Sequence, residues 1–325
     1  MGAYGIGSNL NLVVWSTALL LQEHPNTTVL LDDATAQSAC AQGFQELLLP
    51  QVPKMHHGPA PTGCQTMDHS AMAAYIRSYT GFPGGTWVQY INHTEPNDGS
   101  NFFHQVSVPG LTVQAKARHS EVWNAMWHAL CPVVQQFWQL APPVQQHQQM
   151  FEQAVRGNSS APVVAVHVRG GDKIAAGSRE IPLTFDYSYQ RGLQLVAQQL
   201  AGQSSLSVGT QQRSLGKHQQ QPSCLLFGDD KRLMDEVASQ AHSILNCSKL
   251  QLAIAAGSLQ PWRGSKCGAV QTMLADMDTL AWADYTVGTM WSNFDAVAYY
   301  AAVCVYARQH ATYVDGSRNP FGPYV

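Results

Sequence analysis

"HVRGGDK", residues 167–173, sets an imidazole, a guanidinium, a carboxylate and an ammonium within seven residues of a chain in which only 12% of positions are charged. The preceding Val163, Val164, Ala165 and Val166, with Val168, read as a strand buried on both faces, so His167, Arg169, Asp172 and Lys173 emerge at its carboxyl end. Ligands of open parallel sheets bind at that edge. An arginine there offers a rigid, permanently charged fork suited to a diphosphate, and Gly170 and Gly171 let backbone amides approach the same group. The plainer reading of the same residues is an Arg–Asp pair, Arg169 with Asp172, that pins the loop.

A second acidic cluster lies in "CLLFGDDKRLMDEV", where Asp229 and Asp230 stand at the start of a helix and read equally well as site residues or as plain helix caps. "LADMDTLAWADYTVGTMWSNFDAVAYYAA" repeats the pattern: Asp276 and Asp278 on a helix, a strand near Tyr285 to Gly288, and Thr289, Ser292 and Asn293 at the turn into the next helix. Hydroxyls at a helix N-terminus suit a phosphate. Asp276-Met-Asp278 has the spacing of a D-x-D metal motif. Its helical setting argues against that role, because a carboxylate pair bridging a divalent cation to a diphosphate belongs at a strand end. No metal is expected. "GAYGIGSNLNLVVW" is a Gly-x-Gly turn entering a helix; it lacks a third glycine and a preceding strand, so a nicotinamide site is poorly supported.

These residues need a scaffold. The second half alternates between a strand at 163–169, a helix near 186–201, a strand at 224–227, helices near 230–241 and 270–282, a strand at 284–288 and a helix near 293–307. Such alternation predicts an α/β fold with a parallel sheet covered by helices on both faces. Before it, a turn and apolar helix over 5–21 lead to a strand at 27–33, then Pro-, Gly- and His-rich loops with short strands from about 51 to 115. A Trp-rich helical pattern between Glu121 and Ala154 is interrupted at Pro132 and Pro142-Pro143. We expect two domains, 1–155 and 156–325, with the polar segment 201–223 a flexible insertion.

A net charge of −3 gives no field to hold a nucleic-acid backbone. The apolar run Leu10 to Leu21 is about half the ~20 residues of a spanning helix and lacks the flanks of a secretory signal. Seven scattered cysteines fit either partial disulfide pairing or buried thiols. Four N-x-S/T sequons, at Asn26, Asn92, Asn158 and Asn246, lean towards a lumenal protein.

Taken in order, these segments resemble the α-1,6-fucosyltransferase family (the GT23 type), which core-fucosylates N-glycans from GDP-fucose and has rhizobial relatives acting on chitin oligomers. "GIGSNLNLVVW" resembles the family's N-terminal glycine loop, and "HSEVWNAMWHAL" its Trp-rich helix. "HVRGGDK" resembles the motif H-V-R-R-T-D-K, "FGDDKRLMDEV" the motif A-T-D-D, and "DMDTLAWADYTVGTMWSNFDAVAYY" the third motif, the most specific of the set. The resemblance covers nearly the whole chain. It implies a GT-B-like fold with a Rossmann-like C-terminal domain, inverting and metal-independent transfer, GDP-fucose as donor, a GlcNAc-containing N-glycan acceptor, and the Golgi lumen or secretory pathway.

By motif position, His167 and Asp276 contact guanine, Arg169 holds the β-phosphate, Gly5 and Gly7 present amides to the diphosphate, and Ser292 and Asn293 lie beside the phosphates. Asp172, Asp229 and Asp230, in the first two motifs, join the implied donor site. Two departures stand out: the motif's second arginine is Gly170, and the family's catalytic glutamate falls on Gly177. Lys173 is kept, but a protonated lysine cannot take the acceptor proton unaided. Glu180 is the nearest downstream carboxylate. The motifs end close to Val325, so the SH3-like module of animal members and the stem are expected to be missing, with any membrane attachment through an N-terminal segment outside this chain. The alternatives are a GDP-sugar- or glycan-binding homologue without turnover, and a fucosyltransferase with another acceptor.

Overall fold

The computed structural model describes residues 6–26, 28–32, 40–41, 46–48, 55–58, 67, 71–72, 74, 130–157, 159–169, 189–206, 221–254, 266–288, 292–308 and 311–313. Helix α1 (Ile6–Glu23) leads to strand β1 (Val29–Asp32), which pairs in parallel with β2 (Met55–Gly58). A helical stretch at 130–137 precedes α2 (Pro142–Val155). Pro142 and Pro143 open α2 rather than merely ending what comes before, since their missing amides fall where a helix has no carbonyl to offer.

Strand β3 (Val163–Val168) and helix α3 (Tyr189–Leu206) follow, then β4 (Ser223–Gly228), α4 (Lys231–Leu245) and β5 (Lys249–Ile254). The chain ends its described course with α5 (Lys266–Trp282), β6 (Tyr285–Gly288), α6 (Asn293–Cys304) and β7 (Ala311–Tyr313). The expected α/β alternation is therefore present. Two strands went unread, β5 and β7: "KLQLAI" mixes polar and apolar residues without turn signals, and β7 is three residues long. Helix α3 runs on to Leu206, so the first residues of the polar segment 201–223 are helical and β4 begins at its last residue.

The five strands β5-β4-β3-β6-β7 are all parallel. The chain starts in the middle at β3, works outward to β5, and returns to lay β6 against the free side of β3. The reversal creates a switch point between the carboxyl ends of β3 and β6, and in open α/β sheets the crevice for a ligand lies at such a point.

Every side chain of β3 and β4 is buried. Period two then divides them. Val163, Ala165, Leu225 and Phe227 join one core with α1, the 130–138 stretch, α2, α5 and α6; Val164, Val166, Val168 and Leu226 join a second with α3 and α4. Leu10, Val14, Trp15, Ala18 and Leu19 of α1 lie in the first core, at the spacing of one helix face. Trp15 Nε1 donates to the buried hydroxyl of Tyr300 at 2.9 Å and fixes α1 against α6. The backbone at 46–48 joins the same core through a bridge between Leu48 and Leu140.

At the opposite, amino edge of the sheet Asp284 accepts from Arg156 at 2.6 Å and from the Val163 amide at 2.9 Å, and pairs with Arg308 at 3.0 Å. The Arg156 guanidinium also lies 4.4 Å from the Trp282 ring centroid. This staple ties β3 to β6 at the end away from the crevice.

Three disulfides, Cys40–Cys267, Cys131–Cys304 and Cys224–Cys247, pair all the described cysteines, which decides between disulfides and thiols for these six. The first two close loops of 227 and 173 residues. Cys64 lies outside the described residues. Among the described residues no helix is long and apolar enough to cross a membrane.

Candidate functional site

Two of the charged residues that the sequence places at the end of β3, His167 and Arg169, lie at the switch point between β3 and β6. His167 is the penultimate residue of β3 and Arg169 follows its end. The Arg169 amide donates to the Tyr189 hydroxyl at 2.8 Å, so the first residue of α3 fixes the backbone from which the guanidinium leaves. That guanidinium is ion-paired with Asp229, directly after β4. Register explains the meeting: Val168 lies opposite Gly228, which makes Arg169 and Asp229 neighbours one residue further on.

The two readings of Asp229-Asp230 thus divide between the residues. Asp230 is the N-cap of α4, its carboxylate accepting from the Leu233 amide at 3.1 Å. Asp229 faces the arginine. Both members of the Arg169–Asp229 pair are about one-fifth exposed, so an anionic ligand can compete with Asp229 for the guanidinium.

On the other side of the crevice Ser292 caps α6, its Oγ accepting from the Asp295 amide at 3.4 Å. Asp295 turns its carboxylate to His167, with Oδ2 2.8 Å from Nδ1, and both side chains are buried. Phe294 stacks on the imidazole with centroids 4.4 Å apart. Gly288 closes β6 beneath them: a Cβ there would come within 2.6 Å of Asp295 Oδ1, so this residue must be glycine for the carboxylate to sit where it does. Asp295 and Phe294 escaped the sequence reading. The signal was the S-x-x-D spacing Ser292–Asp295, which by itself marks only a helix start.

Asp276 and Asp278 do lie on a helix, α5, and both are buried. Asp278 accepts from Trp138 Nε1 at 2.6 Å and from the Tyr306 hydroxyl at 2.8 Å. Burial raises its pKa to about 6 against the opposing pull of these two donors. Asp276 has no such help: its Oδ1 lacks a hydrogen-bond partner, and burial pushes its pKa up to about 8. Burial thus favours the protonated form of Asp276, which can donate as well as accept.

Of the other expected site residues, Gly7 is the second residue of α1 and Asn293 the first of α6, positions whose amides have no partner within a helix. Gly5, Asp172, Lys173 and Glu180 lie outside the described residues, as do Gly170 and Gly177. Among the described residues one cluster has the makings of a metal site, Cys40, Glu46 and Cys267, and its two cysteines are joined in a disulfide.

Chemically, the crevice offers a bidentate cation, a capped helix N-terminus and a buried imidazole of fixed orientation. That set suits a group carrying negative charge next to a hydrogen-bonding ring.

No model of a known protein family matches the chain, and no curated protein matches it. Among solved structures it is similar to NodZ α-1,6-fucosyltransferase soaked with GDP-fucose, at 13% identity and a TM-score of 0.41, over 91% of this chain and 89% of that one. It is similar to POFUT1 in complex with GDP at 12% identity and a TM-score of 0.33, over 60% of this chain and 51% of that one. A GDP complex of a mutant Arabidopsis thaliana FUT1 gives 13% identity and a TM-score of 0.32, over 57% of this chain and 38% of that one. The chain thus spans less than two thirds of the plant FUT1 and POFUT1 chains that it resembles.

Proposed function

We propose that the chain is a GT-B-like glycosyltransferase that moves fucose from GDP-fucose to a GlcNAc-containing N-glycan in α-1,6 linkage, with inversion and without a metal. The observation that supports this most directly is the convergence of Arg169, the His167–Asp295 pair and the Ser292-capped start of α6 at one switch point. These are residues of the first and third motifs in which the sequence resembles the α-1,6-fucosyltransferases.

In this reading the acceptor hydroxyl attacks the anomeric carbon of fucose while the bond to the β-phosphate oxygen breaks and its electron pair leaves with GDP. Arg169 meets the charge that grows on the diphosphate, and the amides of Gly5, Gly7 and the start of α6 share it. His167 and the protonated Asp276 hydrogen-bond the guanine. The acceptor proton passes to Glu180, and Lys173 supplies a positive charge. Residues 156–325 form the GDP-sugar-binding domain, and the glycine loop of residues 1–155 reaches its diphosphate. The secretory lumen is the proposed location, and disulfides closing such long loops support it, because they persist in oxidising compartments.

Gly177, standing where the family has its catalytic glutamate, favours a second reading: a GDP-sugar-binding homologue without turnover. GDP release from GDP-fucose, followed with N-glycan and chitin-oligosaccharide acceptors in excess EDTA, separates the readings. Acceptor-dependent release in EDTA is expected. Binding of GDP without release selects the second reading; no binding of GDP ends both, and a requirement for Mg²⁺ or Mn²⁺ ends the metal-free mechanism.

A further inference from the structure

We infer that Asp295 is the positioning residue of the nucleotide site: by holding His167 as the Nδ1-protonated tautomer, it leaves Nε2 as a hydrogen-bond acceptor for the base of a purine nucleoside diphosphate. This rests on the donor reading given above and goes beyond it, since neither the motif pattern nor the helix-capping pattern assigns Asp295 a part in binding.

The geometry carries the inference. Asp295 occupies the third position after the Ser292 cap, where an acidic residue ordinarily folds back to the amide of the cap residue. Here one carboxylate oxygen instead lies 2.8 Å from His167 Nδ1, joining helix α6 to the end of β3 across 128 residues of sequence. A carboxylate only accepts, so Nδ1 must carry the proton in this bond. In the neutral ring, which has one N–H, Nε2 then keeps its lone pair. Phe294, stacked on the ring face, stops the imidazole from swinging out of that plane. Gly288 clears the space that Asp295 occupies. Strand β6 and helix α6 thus present one carboxylate to one ring at the carboxyl end of β3. Guanine carries N–H groups on its hydrogen-bonding edge, and an acceptor of fixed direction is what those groups need.

The test has two readouts on the full chain. Nitrogen-15 long-range spectra of the histidine rings report the His167 tautomer without any ligand; Nδ1 protonation is expected, and an Nε2-protonated ring in the wild type overturns the inference. Calorimetry with GDP compares the wild type, Asp295→Asn, His167→Gln and the double variant. Asp295→Asn is expected to lose about tenfold in affinity, the scale of one charge-assisted hydrogen bond, with its melting temperature showing a folded protein. In the double variant the Asp295 substitution should add no further loss. Unchanged affinity in Asp295→Asn, or losses that simply add in the double variant, mean that the carboxylate serves only helix α6 and overturn the inference. If Asp295→Asn does not fold, the wild-type tautomer and His167→Gln decide, and full GDP affinity in the latter overturns the inference. A wild type that does not bind GDP removes the donor reading itself, a result distinct from all of these.

Discussion

Arg169, at the end of β3, is ion-paired with Asp229, at the end of β4, so the cation expected to meet a diphosphate already has a carboxylate against it. The pair joins two neighbouring strand ends, whereas the loop-pinning alternative read from the sequence joined Arg169 to Asp172. A ligand anion must displace Asp229 or share the guanidinium with it.

This arrangement sets opposite expectations for its two members. Asp229→Asn removes the competing charge and should tighten GDP binding by about three- to tenfold, under 1.4 kcal/mol. Arg169→Lys keeps the charge but loses the planar fork, and should cost on the order of 2 to 4 kcal/mol in turnover. Calorimetry, turnover and melting temperature measured together check both. Weaker binding in Asp229→Asn would make Asp229 itself a ligand contact, and losses in Arg169→Lys that follow melting temperature alone would reduce the pair to a structural role.

Asp276 predicts a stability profile. Its folded pKa, about 8, lies above the ordinary carboxylate value of 3.8, so the folded chain holds this proton more tightly than the unfolded chain. Its contribution is therefore fully present below about pH 4 and fades as pH rises towards 8. Asp278, with a folded pKa of about 6, acts in the same direction over a narrower window. Asp276→Asn cannot ionise. Its melting temperature should gain on the wild type between pH 5 and 8 and hold a constant lead above; parallel curves would contradict the buried, unpartnered acid.

Trp138 reaches Asp278 across 140 residues of sequence, and Tyr306 reaches it from beyond α6. Trp138→Phe keeps the ring and deletes the donor. A loss of about 1 to 3 kcal/mol is expected for weakening the hydrogen bonding of a buried carboxylate. Since the Trp138 hydrogen bond lowers the Asp278 pKa, that pKa should also rise in the variant. Carboxyl carbon-13 titration and thermal melts provide the two numbers, and an unmoved Asp278 titration would count against the contact.

The disulfides predict a thiol count. With three bridges formed among seven cysteines, alkylation of the unfolded, unreduced chain should modify at most one residue, Cys64. Replacing Cys131 and Cys304 by serine opens a 173-residue loop and should cost about 2 to 5 kcal/mol. Mass spectrometry and melting curves check this pair. Asn26 and Asn246 are exposed, so secreted protein should also lose mass on treatment with an N-glycanase.

The sequence by itself determined the elements and the end of each at which chemistry sits. Five apolar residues in the window 163–168 made β3 a buried strand, and the strand's length alone set His167 and Arg169 at its carboxyl end. The apolar run Leu10 to Leu21 marked α1 as a buried helix in the same way. These are local facts, carried by the periods of strand and helix. Partnership is not local. Only the tertiary structure decided that β6 lies against β3, and hence that His167 meets Asp295; a parallel crossover fixes no neighbour in the hydrophobic pattern of either strand. The same holds for Arg169 with Asp229, for which cysteines pair, and for Asp276, buried with its Oδ1 unpaired among the described residues. A sequence shows that a carboxylate lies on a helix. Burial and the absence of a donor, which favour that carboxylate's protonated form, depend on what the other elements bring to it.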